Sequence, residues 1–132
     1  MSGLNVAYAK FGAVPRNKRW SWSARSGDGN TVVLALWKHL FDYSATPISY
    51  SEYGNPNLSE WRGGPGNIER IENLMHARAA CEGLFRVVIS VARDVNAAQL
   101  EIASAFDHPR LLMKLTDLDE TSGEFRAINT GR

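Results

Sequence analysis

Only one stretch of this chain carries a complete helix signature, and strand-like segments surround it. Asn67 is suited to accept a hydrogen bond from an orphan N–H at a helix start. Behind it Ile68, Ile71, Leu74, Met75 and Cys81 fall close to one face at the 3.6-residue period, with Ala77 and Ala79 beside them. Glu69 and Glu72 occupy the first turns, where the helix dipole favours negative charge, and Gly83 is placed to end the helix in the left-handed region. Leu84–Arg93, LFRVVISVAR, follows at once as the most apolar run and is expected at the centre of a sheet. A single main helix among strands argues for an α+β fold and against a doubly wound parallel sheet.

The flanking strands have their own punctuation. Arg19–Arg25 alternates, which puts Trp20 and Trp22 on one face and Ser21 and Ser23 on the other. Ser26–Asn30 is rich in residues that tolerate positive φ, and Thr31–Lys38, TVVLALWK, completes a hairpin. Val95–Phe106 fits either a short helix, through Ala97, Leu100, Ile102, Ala103 and Phe106, or an irregular crossover. Arg110–Leu118 alternates with Leu111, Met113 and Leu115 on one face, and Asp119–Gly123 turns it into a last strand, Glu124–Asn129. Gly12 and Pro15 break residues 1–18 into an irregular basic arm, while 42–66, with Pro47, Pro56 and Pro65, reads as a long loop. The expected order is ββαβ(α)ββ: a curved, mainly antiparallel sheet of about five strands, or a small open barrel, with the helix packed on it.

Length and composition bound the rest. At 132 residues the chain matches one domain, and 44% hydrophobic with 22% charged residues is a globular balance, not a disordered one. No apolar run is long enough to span a membrane, and no apolar stretch follows basic residues at the N-terminus. Neither a membrane nor a signal peptide is expected. A lone cysteine, Cys81, rules out an internal disulfide framework and fits a reducing, cytoplasmic setting.

Charge is unevenly spread. Residues 1–27 hold Lys10, Arg16, Lys18, Arg19 and Arg25 and no acid, whereas the rest sets fourteen acids against ten cations. Such asymmetry hints at an anionic partner, although a solvated basic lead-in would look the same. Within Pro15–Arg25 four cations interleave with two indoles. Arg16, Lys18, Arg19 and Arg25 could neutralise phosphates, and Trp20 or Trp22 could stack on an unpaired base. A tryptophan pair on one hairpin face is equally what a core-facing pair looks like. In the 42–66 loop Tyr43, Tyr50, Tyr53 and Trp61, together with Asn67 at the helix start, could line a ligand pocket with an apolar wall and polar tips.

Catalytic and metal signatures are missing from the sequence. His39, His76 and His108 are scattered without a second ligand at metal spacing, so neither a metal nor a cofactor is expected. There is no GxSxG elbow, no Walker pattern, and no strand ahead of Gly63-Gly64-Pro65-Gly66 to make it a dinucleotide loop. Counting an EF-hand from Asp117 puts Gly123 at the seventh position instead of the sixth and Ile128 where glutamate is required. Cys81, near a helix C-terminus whose dipole opposes a thiolate, is expected to be inert.

The segments RNKRWSWSAR, TVVLALWK, PGNIERIENL and FRVVISVARD together resemble an uncharacterised family of small bacterial proteins. More loosely, the chain resembles domains fused to HNH-type endonucleases. It has no HNH motif, so the resemblance implies DNA targeting rather than cleavage. Three readings follow. The first is a non-enzymatic module that binds DNA or RNA through the basic, Trp-containing hairpin. The second is a small-ligand binder or enzyme with a pocket under the 42–66 loop. The third is an interaction protein that pairs with a second copy through a sheet edge or aromatic patch.

Overall fold

The structure is a computed structural model and describes residues 3–16, 21–54, 63–96 and 102–130. Along the chain lie α1 (Gly3–Ala9), β1 (Ala13–Val14), β2 (Ser23–Ser26), β3 (Val32–Trp37), a 3₁₀ turn (Lys38–Leu40), β4 (Phe41–Asp42) and β5 (Ser49–Ser51). Then come α2 (Pro65–Ala80), β6 (Leu84–Ala92), β7 (Ile102–Leu118) and β8 (Phe125–Asn129). All eight strands form one sheet in the order β1-β2-β3-β6-β7-β8-β5-β4. Neighbours are antiparallel except β3 and β6, which run parallel with Leu34 beside Val87 and Leu36 beside Ile89. The fold is thus α+β with one main helix, and its sheet is mixed.

The near-continuous apolar character of β3 and β6 has a simple cause: both faces of the sheet are covered. Val32, Leu34, Leu36, Val87 and Ile89 point to the concave face, where they pack with Phe85, Met113, Phe125 and the inward residues Leu74 and Ala77 of α2. Val33 and Val88 point the other way and pack with Ala24 and with Ala7 and Tyr8 of α1. The sheet curls without closing. Its curl brings Tyr50, on β5, within 3.3 Å of the backbone N–H of Trp37 at the end of β3, although three strands lie between β3 and β5 in the sheet.

Several expectations need correcting. Eight strands stand where about five were expected, because β1, β4 and β5 are only two or three residues long and exist through pairing rather than through any pattern of their own. Residues 1–18 are not simply an arm: α1 and β1 lie within them, and Tyr8 is wholly buried. The supposed loop 42–66 contains β5. Ile102–Phe106 belongs to the strand β7, not to a helix, while Ala97 and Leu100 lie outside the described residues.

The main helix differs at both ends and on its face. It begins at Pro65 behind Gly64, so Asn67 lies inside the first turn, not at the cap. Ile68 and Met75 are 49% and 41% exposed, and the buried positions are Gly66, Asn67, Glu69, Arg70, Asn73, Leu74 and Ala77. The first half of α2 therefore turns a polar face inward. Beyond its last turn Gly83 does adopt positive φ, at 80°, but so does Glu82 before it, at 58°. No helix among the described residues is long and apolar enough to cross a membrane.

Candidate functional site

The inward polar face of α2 builds a seam where the helix spans the curl of the sheet. Asn67, Arg70 and Asn73 are three residues apart, so they rise in one line along the helix, with Glu69 alongside. At the centre the Arg70 guanidinium grips Glu52, just past β5, through two hydrogen bonds of 2.6 and 3.0 Å. Both side chains are 3% exposed. The Tyr50 hydroxyl donates to the same carboxylate at 2.6 Å. The Arg70 guanidinium also lies 5.3 Å from the centre of the Trp22 ring and 5.1 Å from that of Phe125, so the cation is enclosed by aromatic rings.

On one side of Arg70, the Asn67 amide donates to the Ser122 carbonyl in the β7–β8 turn at 2.9 Å. Gly123 has positive φ and no side chain, and a Cβ there would run into the Asn67 carboxamide. On the other side, the Asn73 amide donates to Ser23 Oγ at 2.7 Å, and its oxygen accepts Nε and Nη2 of Arg25 at 3.1 and 2.9 Å. The helix is tied to β2 at one end of the seam and to β5 and the β7–β8 turn at the other.

Glu69 is the anomalous member. It is 3% exposed; its Oε2 accepts the Arg16 backbone N–H at 3.2 Å, and Arg16 Nε stands 3.9 Å away. Its Oε1 is buried and has no hydrogen-bond partner. A carboxylate oxygen stripped of water without a donor costs free energy. Burial first, and then the Glu69 charge, holds the Tyr8 phenol above its ordinary range. For Tyr50 burial again comes first and the Glu52 charge second, and its phenol is held well above the usual value.

The seam unites residues from two separate expectations and leaves others out. Trp22, half-buried against Arg70, stands with Tyr50 and Asn67. Arg16 and Arg25 are turned to internal partners: Arg16 also binds Glu72 at 3.0 Å, and Arg25 binds Asn73. Lys18, Arg19, Trp20 and Trp61 lie outside the described residues. Tyr43 is exposed and stacks on Phe41, with ring centres 5.6 Å apart; Tyr53 is exposed under the guanidinium of Arg126 at 5.1 Å. Neither joins the seam.

Sequence reasoning missed Tyr8, Glu52, Glu69, Arg70 and Asn73. A signal existed, because the stripe Asn67-Arg70-Asn73-Leu74-Ala77 has helical spacing as coherent as that of the isoleucines. Hydrophobicity alone found Leu74, Ala77 and Cys81 but grouped them with the exposed Ile68 and Met75 instead of the polar residues.

Elsewhere the chemistry is sparse. At the far end of α2 Cys81 makes long contacts of 3.6 Å to the carbonyls of Gly29 and Asn30, beside a shallow groove of about 390 Å³ that Arg86 and Leu112 also line. His76 Nε2 is 2.8 Å from the same Gly29 carbonyl. Among the described residues no cluster of His, Cys, Asp and Glu could hold a metal ion. No family model, curated protein or solved structure matches the chain.

Proposed function

We propose that this chain is a non-enzymatic binding module for single-stranded nucleic acid, and that one unpaired base is presented to the seam beside Trp22 and Glu69. The carrying observation is the buried, partnerless Oε1 of Glu69. A carboxylate oxygen in that state calls for an N–H donor, and the exocyclic amino group of a base supplies one. The base must be unpaired to offer that edge, as in proteins that read flipped or single-stranded nucleotides. Trp22 contributes an indole against Arg70, the residue that follows Glu69 on α2, and Arg16, exposed at the rim, can exchange the solvent-facing Glu72 for a phosphate. Arg16 also covers Glu69, so it is the group that moves to admit a base.

This departs from a simple basic arm. If all four cations of the arm neutralised phosphates, affinity for a single strand would fall with salt at a log–log slope of about −3. With Arg25 kept by Asn73 and Arg16 released to a phosphate, three cations remain and the slope expected is about −2.

The test is fluorescence anisotropy with labelled oligo(dC), oligo(dT) and duplex DNA at two salt concentrations. Oligo(dC) should bind best and duplex worst. Glu69→Gln keeps a carbonyl for the Arg16 N–H but abolishes the charged acceptor, so it should weaken oligo(dC) about tenfold while leaving the melting temperature nearly unchanged. No binding of any oligonucleotide at low salt would end this reading.

A further inference from the structure

Sheets end in edges, and this one deals with its two nominal edges in the usual way: β1 and β4 are each two residues long. A longer edge remains inside the sheet. From Ile102 to Asp107, β7 pairs with β6 and, among the described residues, with no strand on its other side. Strand β8 joins β7 from Met113 onward, and no other strand among the described residues takes the place it leaves. The stretch Ile102–Phe106 has no charge and no proline, and Phe106, opposite the core residue Ile89, is 45% exposed. Within these five residues no charge or proline guards against strand addition; the breaks in β6–β7 register and Pro109 lie toward its ends. Of the two charges that flank it in the sequence, Glu101 lies outside the described residues and Asp107 is held by Lys10, just past α1, at 3.2 Å.

We infer that this edge is an interface between two copies of the chain, paired antiparallel through β7 about a two-fold axis at Phe106. Charge decides the direction and the occupant. In that register Phe106 meets its own copy in an aromatic cross-strand pair, Asp107 faces Ala105, and His108 faces Ser104, so no like charges meet. An in-register parallel pairing would set Asp107 against Asp107. An antiparallel pair about a two-fold axis is closed, which covers the edge without propagating into a fibre.

The experiment is light scattering across a concentration series on the full chain and on Phe106→Lys and Phe106→Glu. The wild type should reach dimer mass. Each variant alone should be monomeric, its association weakened roughly a hundredfold by like charges opposed at the axis. Because Phe106 is nearly half-exposed, neither substitution should lower the melting temperature appreciably. An equimolar mixture of the two variants should regain dimer mass, since lysine then faces glutamate. A wild type that stays monomeric at its solubility limit overturns the inference, as does a dimer that either substitution leaves intact. Failure of the mixture to reassociate also overturns it.

Discussion

The guanidinium of Arg70 has exchanged water for Glu52, two aromatic faces and a place 3% exposed beneath α2. Neither partner is stable there alone. Arg70→Met should cost about 3–5 kcal/mol in urea denaturation, since it abandons a buried carboxylate. Adding Glu52→Gln to that variant should recover part of the loss, because the amide oxygen still accepts from the Tyr50 hydroxyl without a charge. A cost below about 1 kcal/mol for Arg70→Met would mean that water reaches the pair. None of this was legible residue by residue: Arg70 and Glu52 are 18 positions apart, and no spacing rule relates them.

Among the elements, β3, β6 and β8 were legible because alternation or continuous apolarity marks them. The strands β1, β4 and β5 were not, since a pair or triplet of residues becomes a strand only when a neighbour supplies the other half of each hydrogen bond. The end of α2 shows the same division. Gly83 was placed correctly in the left-handed region, but the sequence offers no reason for Glu82 to join it. Glu82→Gly should stabilise the chain by about 0.5–1 kcal/mol, because glutamate at φ 58° is strained and glycine is not. Gly83→Ala should cost about 1 kcal/mol, from φ alone, since the nearest atoms to a Cβ there are at an ordinary 3.7 Å. Thermal melts of both variants measure the pair of effects, and equal signs would refute the assignment.

Over the whole molecule the sheet is insulated on both faces, and each face buries one tyrosine: Tyr8 of α1 and Tyr50 in the curl. Both phenols are held above the ordinary value of 10.0, first by burial and second by a neighbouring carboxylate. Above that value the unfolded chain loses these protons while the folded chain keeps them, so the folded state binds more protons. Stability is then full below pH 10 and falls as pH rises, by about 1.4 kcal/mol per pH unit for each tyrosine. Urea midpoints on either side of pH 10 should show the fall, and Tyr8→Phe and Tyr50→Phe should each make it shallower. A flat profile would mean that neither phenol is shielded.

By itself the sequence determined the fold class, the hairpin of β2 and β3, the central place of β6 and the final turn into β8, because each rests on local periodicity or turn chemistry. Only the tertiary structure decided which face of α2 is inside. A helix that spans an open curl must bind strands on both sides through their free polar groups, and Asn67, Arg70 and Asn73 can do that where isoleucine cannot. The same requirement paired Arg25 with Asn73 and Arg16, still exposed at the rim, with Glu69 and Glu72. Composition could count those cations, but their partners stand about 50 residues further along the chain, and only folding brings them together.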